Sequence, residues 1–161
     1  MIITNSTKVL FLLTVVLVTG LSCRHMVKTD MDTYLSNQEA FKGKQVVFTT
    51  DLEDLMERYE IYYGKEVEVT APFTYFGKWQ FWTWYLILES GGNTIRAYES
   101  EYRNYADRYA LYLLRVARSE KGSVTVRGKL ERNGIELSRL FYKDLVVNTN
   151  YRSNSNYAVY H

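Results

Sequence analysis

Covalent chemistry has few candidate residues in this chain of 161. Cys23 is its one thiol, and its two imidazoles, His25 and His161, stand far from any apolar, core-forming stretch. That distribution excludes Ser-His-Asp and Cys-His nucleophilic sets from a folded interior. It also excludes zinc sites built from clustered His and Cys. No glycine-rich phosphate loop of the required spacing occurs. Carboxylates do crowd together, as Asp51, Glu53, Asp54, Glu57 and Glu60. Nothing sets two of them across a cleft, and the first three suit the positive end of a helix dipole. A carboxylate hydrolase is the one enzymatic reading left, and the balance is against catalysis: no catalytic residue, no metal and no cofactor is expected. Non-covalent chemistry is better provided for. Eight aromatics fall between Phe73 and Tyr85, and aromatic faces stack on sugar rings and bases or enter a headgroup layer. Either this run fills a core, or Tyr75, Phe76 and Trp79 crown a loop.

These side chains need elements to position them. Gln45 to Thr49 reads as a short strand. Thr50-Asp51 then gives the N-cap signal of a short amphipathic helix over 51–60, with Leu52, Leu55, Met56 and Tyr59 at helical spacing. From Lys65 to Phe73 the period changes to two, with Val67, Val69, Ala71 and Phe73 on one face. Pro72, the single proline, suits a strand end or edge. Gly77-Lys78 is expected to turn the chain into a second strand, Phe81 to Glu89, whose core face carries Trp82, Trp84, Leu86 and Leu88. Ser90-Gly91-Gly92-Asn93 predicts a tight hairpin into a third strand, Thr94 to Ser100. A long helix follows, about Glu101 to Ser119, ending at Lys121-Gly122. Its Tyr102, Tyr105, Tyr109, Tyr112 and Val116 form a stripe expected to pack inward, and Arg103, Arg108, Arg115 and Arg118 a solvated face. Ser123 to Arg132 alternates again, Asn133-Gly134 turns, and Ile135 to Val147 is a last strand long enough to need a bulge or bend.

Composition supports one folded domain: 47% of residues are hydrophobic and 16% aromatic. A single cysteine permits no intrachain disulfide, so packing alone must stabilise the fold. Asp30 to Glu68 holds ten acids against four bases, and Val69 to His161 eight acids against thirteen bases. The acidic and basic parts either attract one another or leave a basic face for an anionic partner.

The first residues form an address. Lys8 precedes the apolar run Val9 to Val18, followed by Thr19-Gly20-Leu21-Ser22-Cys23. A charged start and an apolar stretch too short to cross a bilayer read as an export signal. Ser22-Cys23 resembles the lipobox of bacterial lipoproteins, although Gly20 stands where Leu is usual. The resemblance implies cleavage before Cys23 and lipidation of that cysteine. It therefore implies a membrane-anchored lipoprotein of the bacterial cell envelope; ordinary secretion is the alternative. The expected organisation is a signal peptide (1–22), a tether (23–44), a strand and helix packed on the main domain (45–64), that domain (65–147) and a flexible tail (148–161).

Over 65–147 the expected order is strand, strand, strand, helix, strand, strand. This connectivity is similar to the OB-fold, as in the tRNA-anti-like domains of exported bacterial proteins. The fold class is therefore mainly β with helices, as a five-stranded barrel with a helix between strands three and four. In such folds the outer face of strands two and three is the usual ligand surface. Carried over by register, it offers Tyr85, Ile87, Arg96 and Tyr98, rimmed by Phe76 and Trp79. Stacking aromatics beside arginine suit an oligosaccharide or single-stranded nucleic acid, and the exported address disfavours nucleic acid. The expected function is a lipid-anchored, non-catalytic binding module for a protein or glycan. A structural subunit of an envelope assembly is the alternative.

Overall fold

The computed structural model describes residues 26–79, 83–99 and 106–149. The protein is mainly β with a few helices, and its strands form one nine-stranded mixed sheet.

The chain enters as β1 (Met26–Thr29), then α1 (Met31–Ser36), a 3-10 turn (Gln38–Phe41) and β2 (Gln45–Thr50), which lies parallel to β1. Asp30 caps α1 by accepting from the Thr33 amide at 2.7 Å and the Thr33 hydroxyl at 2.8 Å. Met31 is fully buried, and Tyr34 sets its ring edge-on to Phe48 at 5.1 Å. The segment expected to be a tether is thus folded from Met26 onward. Its pattern was hidden because β1 spans four residues and α1 buries only Met31.

α2 (Leu52–Glu57) follows, capped by Asp51, which accepts from the Asp54 amide at 2.8 Å. The helix expected over 51–60 is broken at Arg58, and α3 (Tyr59–Tyr62) starts anew. Arg58 binds Asp54 at 3.2 Å and Asp32 at 2.8 Å, which ties α1 to α2 across the break. Leu52, Leu55 and Tyr62 join the main core.

β3 (Glu66–Ala71) and β4 (Phe73–Trp79) are separated only by Pro72; β5 (Thr83–Ser90) and β6 (Asn93–Tyr98) complete a meander. α4 (Ala106–Ser119) then leads to the hairpin β7 (Val124–Glu131) and β8 (Gly134–Tyr142), with β9 (Leu145–Asn148) beside β8. The sheet order is β1-β2-β3-β7-β8-β6-β5-β4. Because β3 and β4 are consecutive across Pro72, the path that leaves on β3 returns on the next stretch of the same chain. β8 and β6 meet in parallel through only Ala97–Ile135 and Tyr98–Glu136. Nine strands stand where six were expected, the short strand at Gln45 among them: β1 and β4 are additional, and the last expected strand is divided into β8 and β9.

Three local expectations change. Gly77-Lys78 is not a turn but lies inside β4, opposite Tyr85 and Trp84. A Cβ on Gly77 would lie 2.4 Å from the Tyr75 hydroxyl, so this glycine makes room for a ring lying along the strand. The last expected strand has its bulge, at Ser138 between the Arg127–Arg139 and Gly128–Leu137 pairs, but it also folds back at Lys143-Asp144, with Lys143 at φ 50°. The Tyr stripe of α4 does not pack inward. Ala110, Leu113, Leu114 and Ala117 face the core instead, while Tyr109 and Tyr112 are exposed. Tyr102, Tyr105 and Trp82 lie outside the described residues.

The stop at Lys121-Gly122 is built differently from a glycine cap. Lys121 itself takes the left-handed conformation, at φ 52°. The Gly122 amide donates to Ala117 O at 2.9 Å and the Lys121 amide to Arg118 O at 3.1 Å, the paired bonds of a Schellman cap. Gly122 is needed for space, since a Cβ there would lie 2.5 Å from the Tyr142 ring.

Two buried-edge carboxylates tie distant segments together. Glu68 accepts from Lys28 at 2.7 Å and from the buried Arg127 Nε at 2.8 Å. Asp54 accepts from Thr50 Oγ1 at 2.6 Å, from Tyr62 and from Arg58. Burial alone would raise both carboxyls, but these donors outweigh it and hold both below their ordinary values of 4.5 and 3.8. A depressed folded pKa adds stability above the unfolded value and loses it as pH falls through the folded one. Thermal midpoints are therefore expected to be flat near neutrality and to drop once pH passes below about 4. Glu68→Gln flattens that acid limb; an unaltered limb in that variant removes Glu68 as its cause.

Candidate functional site

The outer face of the β4–β5–β6 meander carries the candidate site. Strand alternation decides which residues reach it. Trp84, Leu86, Leu88, Ile95 and Ala97 point into the core, so Tyr85, Ile87, Arg96 and Tyr98 point outward and are half-buried. Tyr85 lies opposite Tyr98, and Ile87 opposite Arg96. The four residues expected from sequence therefore form one square of neighbours.

Tyr75 extends it from β4. It lies opposite Ile87, and its ring sits 5.3 Å from that of Tyr85, in the space left by Gly77. The Arg96 guanidinium stands 5.3 Å from the centre of the Tyr85 ring, on its face. On the other flank Tyr98 pairs with Glu136 of β8 and is electrostatically coupled to Glu131 and Tyr59. Tyr59 is fixed there by its hydroxyl, which donates to Glu131 O at 2.5 Å, and its ring lies 6.3 Å from Tyr63. Tyr75, Tyr85, Arg96, Tyr98 and Tyr59 thus run as a strip across the meander to α3.

Burial, then the hydrogen bond with Tyr75, pushes the Tyr85 hydroxyl above its usual range. Burial, then Glu136, Glu131 and Tyr59, does the same for Tyr98. Both phenols therefore remain neutral at physiological pH and can donate as well as accept hydrogen bonds. The strip offers flat faces, neutral hydroxyls and one guanidinium. Among the described residues, no group of three or more His, Cys, Asp or Glu could hold a metal ion.

Two expected rim residues fare differently. Phe76 is opposite Leu86 and turns to the core side, packing on Phe73 at 6.0 Å under the Arg118 guanidinium at 4.4 Å. It is not part of the strip; the reason is register, since Phe76 is one residue out of phase with Tyr75. Trp79 ends β4 opposite Thr83, and its side chain lies outside the described residues. So does Cys23. Sequence reasoning missed Tyr59 and Glu136, and it took Tyr75 for a loop residue. Only the bond of Tyr59 to the end of β7, and the parallel β6–β8 contact, bring the first two to the strip.

No protein-family model and no curated protein matches the chain. A solved structure described as an aspartyl-tRNA synthetase from Leishmania major Friedlin is similar over 76% of this chain at 14% identity, with a TM-score of 0.40. The chain spans 27% of that protein's length. A likeness at this level carries no argument about activity. Among the described residues, no helix is long and apolar enough to cross a membrane.

Proposed function

We propose that the chain is a non-catalytic binding module in which β3 to β8 act as a five-stranded barrel of the OB type. The support is topological. β3 and β4 serve as one strand bent at Pro72, α4 lies between the third and fourth strands, and the path β3-β7-β8-β6-β5-β4 comes back to where it began. The site is the tyrosine and arginine strip, and its ligand is a glycan of the cell envelope, where a lipid on Cys23 would hold the protein.

The observation that carries this reading is the Tyr75–Tyr85–Arg96–Tyr98 arrangement. Neutral phenols stacked at about ring-contact distance beside a planar cation match the alternating apolar faces and hydroxyl edges of a sugar chain. A protein partner uses the same groups, since Tyr and Arg dominate interface hot spots.

The test is calorimetric titration of the full chain with cellohexaose, chitohexaose and oligo(dT). Binding of either oligosaccharide, weakened by Tyr85→Ala and Tyr98→Ala by about ten-fold or more, supports the module. Both variants keep the wild-type thermal midpoint to within a few degrees, because both rings face outward. Preference for oligo(dT) transfers the strip to nucleic acid, and silence toward all three removes the glycan reading.

A second reading, a subunit of an envelope assembly, has one observation in its favour. Tyr112 on α4 is 59% exposed, beside exposed Tyr109, as an unpaired interface would leave them. A concentration-independent monomer in gel filtration disposes of it.

A further inference from the structure

The fold begins three residues after Cys23, and the end of the sheet at which it begins has a distinct surface. Met26 is paired with Gln45. The β2–β3 register, Phe48 with Val67, continues to place Gln45 beside Gly64. The Gly64 amide donates to Leu130 O at 2.8 Å. Met26, Gln45, Gly64 and Leu130 therefore form a row across one end of the sheet. Around it stand exposed Met26, Ile61 and Tyr63. Interleaved with them are Lys44, Lys65 and Arg132, none with an ion-pair partner among the described residues. Lys42 and Lys129 are matched by Glu39 and Glu131, and among the described residues the exposed acids flanking Ile61 on the chain are Glu57 and Glu60, against three cations.

We infer that this end of the sheet docks on an anionic membrane surface, with Ile61 and Tyr63 at the headgroup layer and Lys44, Lys65 and Arg132 on lipid phosphates. Two observations choose that occupant. The first is reach: three residues span at most about 11 Å, so a lipid on Cys23 leaves the row no room to stand away from the bilayer. The second is composition. Apolar and aromatic side chains amid unpaired lysine and arginine are the mixture that adsorbs to anionic leaflets. The inference rests on the membrane address of the preceding section and adds an orientation to it.

That orientation has a consequence for the rest of the molecule. From Gly64 to the end of β3 at Ala71 is seven residues, about 23 Å at about 3.3 Å per strand residue, and Ala71 pairs with Val124, five residues after α4 ends. α4 therefore ends toward the far end of the sheet. Tyr112, exposed on α4, is accordingly expected to stay off the lipid.

The test uses the full chain in phosphatidylcholine vesicles containing about 30% phosphatidylglycerol, and in phosphatidylcholine alone. Ile61, Tyr63 or Tyr112 is replaced singly by the photo-cross-linker p-benzoylphenylalanine, and lipid adducts are read by mass spectrometry. Adducts at 61 and 63 but not 112, more abundant with phosphatidylglycerol, are expected. Lys44→Glu and Arg132→Glu are each expected to lower adduct yield at 63 about five-fold, with the thermal midpoint unchanged because both side chains are exposed. A vesicle-bound chain giving adducts at 112, or at none of the three, overturns the docking while leaving the address standing. A chain that floats free of vesicles, with Cys23 unmodified by mass, overturns both.

Discussion

Gly134→Ala is expected to destabilise this protein by about 3–5 kcal/mol. Gly134 begins β8 at φ 124°, a conformation that L side chains avoid. A Cβ there would lie 2.1 Å from Arg96 O, a backbone atom that cannot swing aside. Relief requires β6 and β8 to separate, and their parallel contact consists of two residue pairs only. The same movement pulls Arg96 and Tyr98 away from Glu136. The variant should therefore lose ligand binding and urea resistance together. Domains of this kind have about 5–15 kcal/mol in all, so its urea midpoint should fall by about a fifth or more. A midpoint within a few tenths molar of wild type would mean that the β6–β8 seam is not as tight as described.

Trp84→Ala follows at a similar magnitude by another mechanism. Trp84 is the largest fully buried side chain among the described residues, on β5 beside Leu86 of the same face, which lies opposite Phe76 of β4. Its removal leaves a cavity walled by strands that are hydrogen-bonded on both sides and cannot collapse inward, and such truncations cost about 3–5 kcal/mol. The indole Nε1 is buried with no hydrogen-bond partner among the described residues. Trp84→Phe therefore gives up volume but also discards an unsatisfied donor, so it should cost far less, about 1–2 kcal/mol. Equal losses for the two variants would imply that Nε1 is satisfied by water or by a residue outside those described.

The two substitutions mark two levels at which the chain encodes its fold. The position of Trp84 was legible in sequence because strand alternation puts Trp84, Leu86 and Leu88 on one face whatever the sheet pairs with. The same holds for Val67, Val69 and Ala71, for the Gly91-Gly92 turn and for the Asp51 cap. Gly134 was legible only as part of a turn. The hairpin loop falls on Arg132-Asn133, and the glycine serves instead a contact with Arg96, thirty-eight residues away. Gly77 and Gly122 were likewise taken for turn and cap, whereas each yields space to a tyrosine ring. A glycine demanded by φ and one demanded by a neighbour look identical in a string of letters.

The sequence by itself determined which residues face in and which face out on β3, β5 and β6, though not on β4 or α4, and with them the square of Tyr85, Ile87, Arg96 and Tyr98. These follow from a two-residue period and one hairpin register, both local properties of the chain. Only the tertiary structure decided that Tyr75 lies flat in β4, that Phe76 turns inward, and that Tyr59 and Glu136 complete the strip. It also decided that the segment after Cys23 folds rather than trails. Those outcomes depend on pairings such as Tyr59 with Glu131, seventy-two residues apart, and on strands joined in parallel without a turn between them. Contacts of that kind leave no periodic trace, because nothing in the spacing of one strand records which strand will lie beside it.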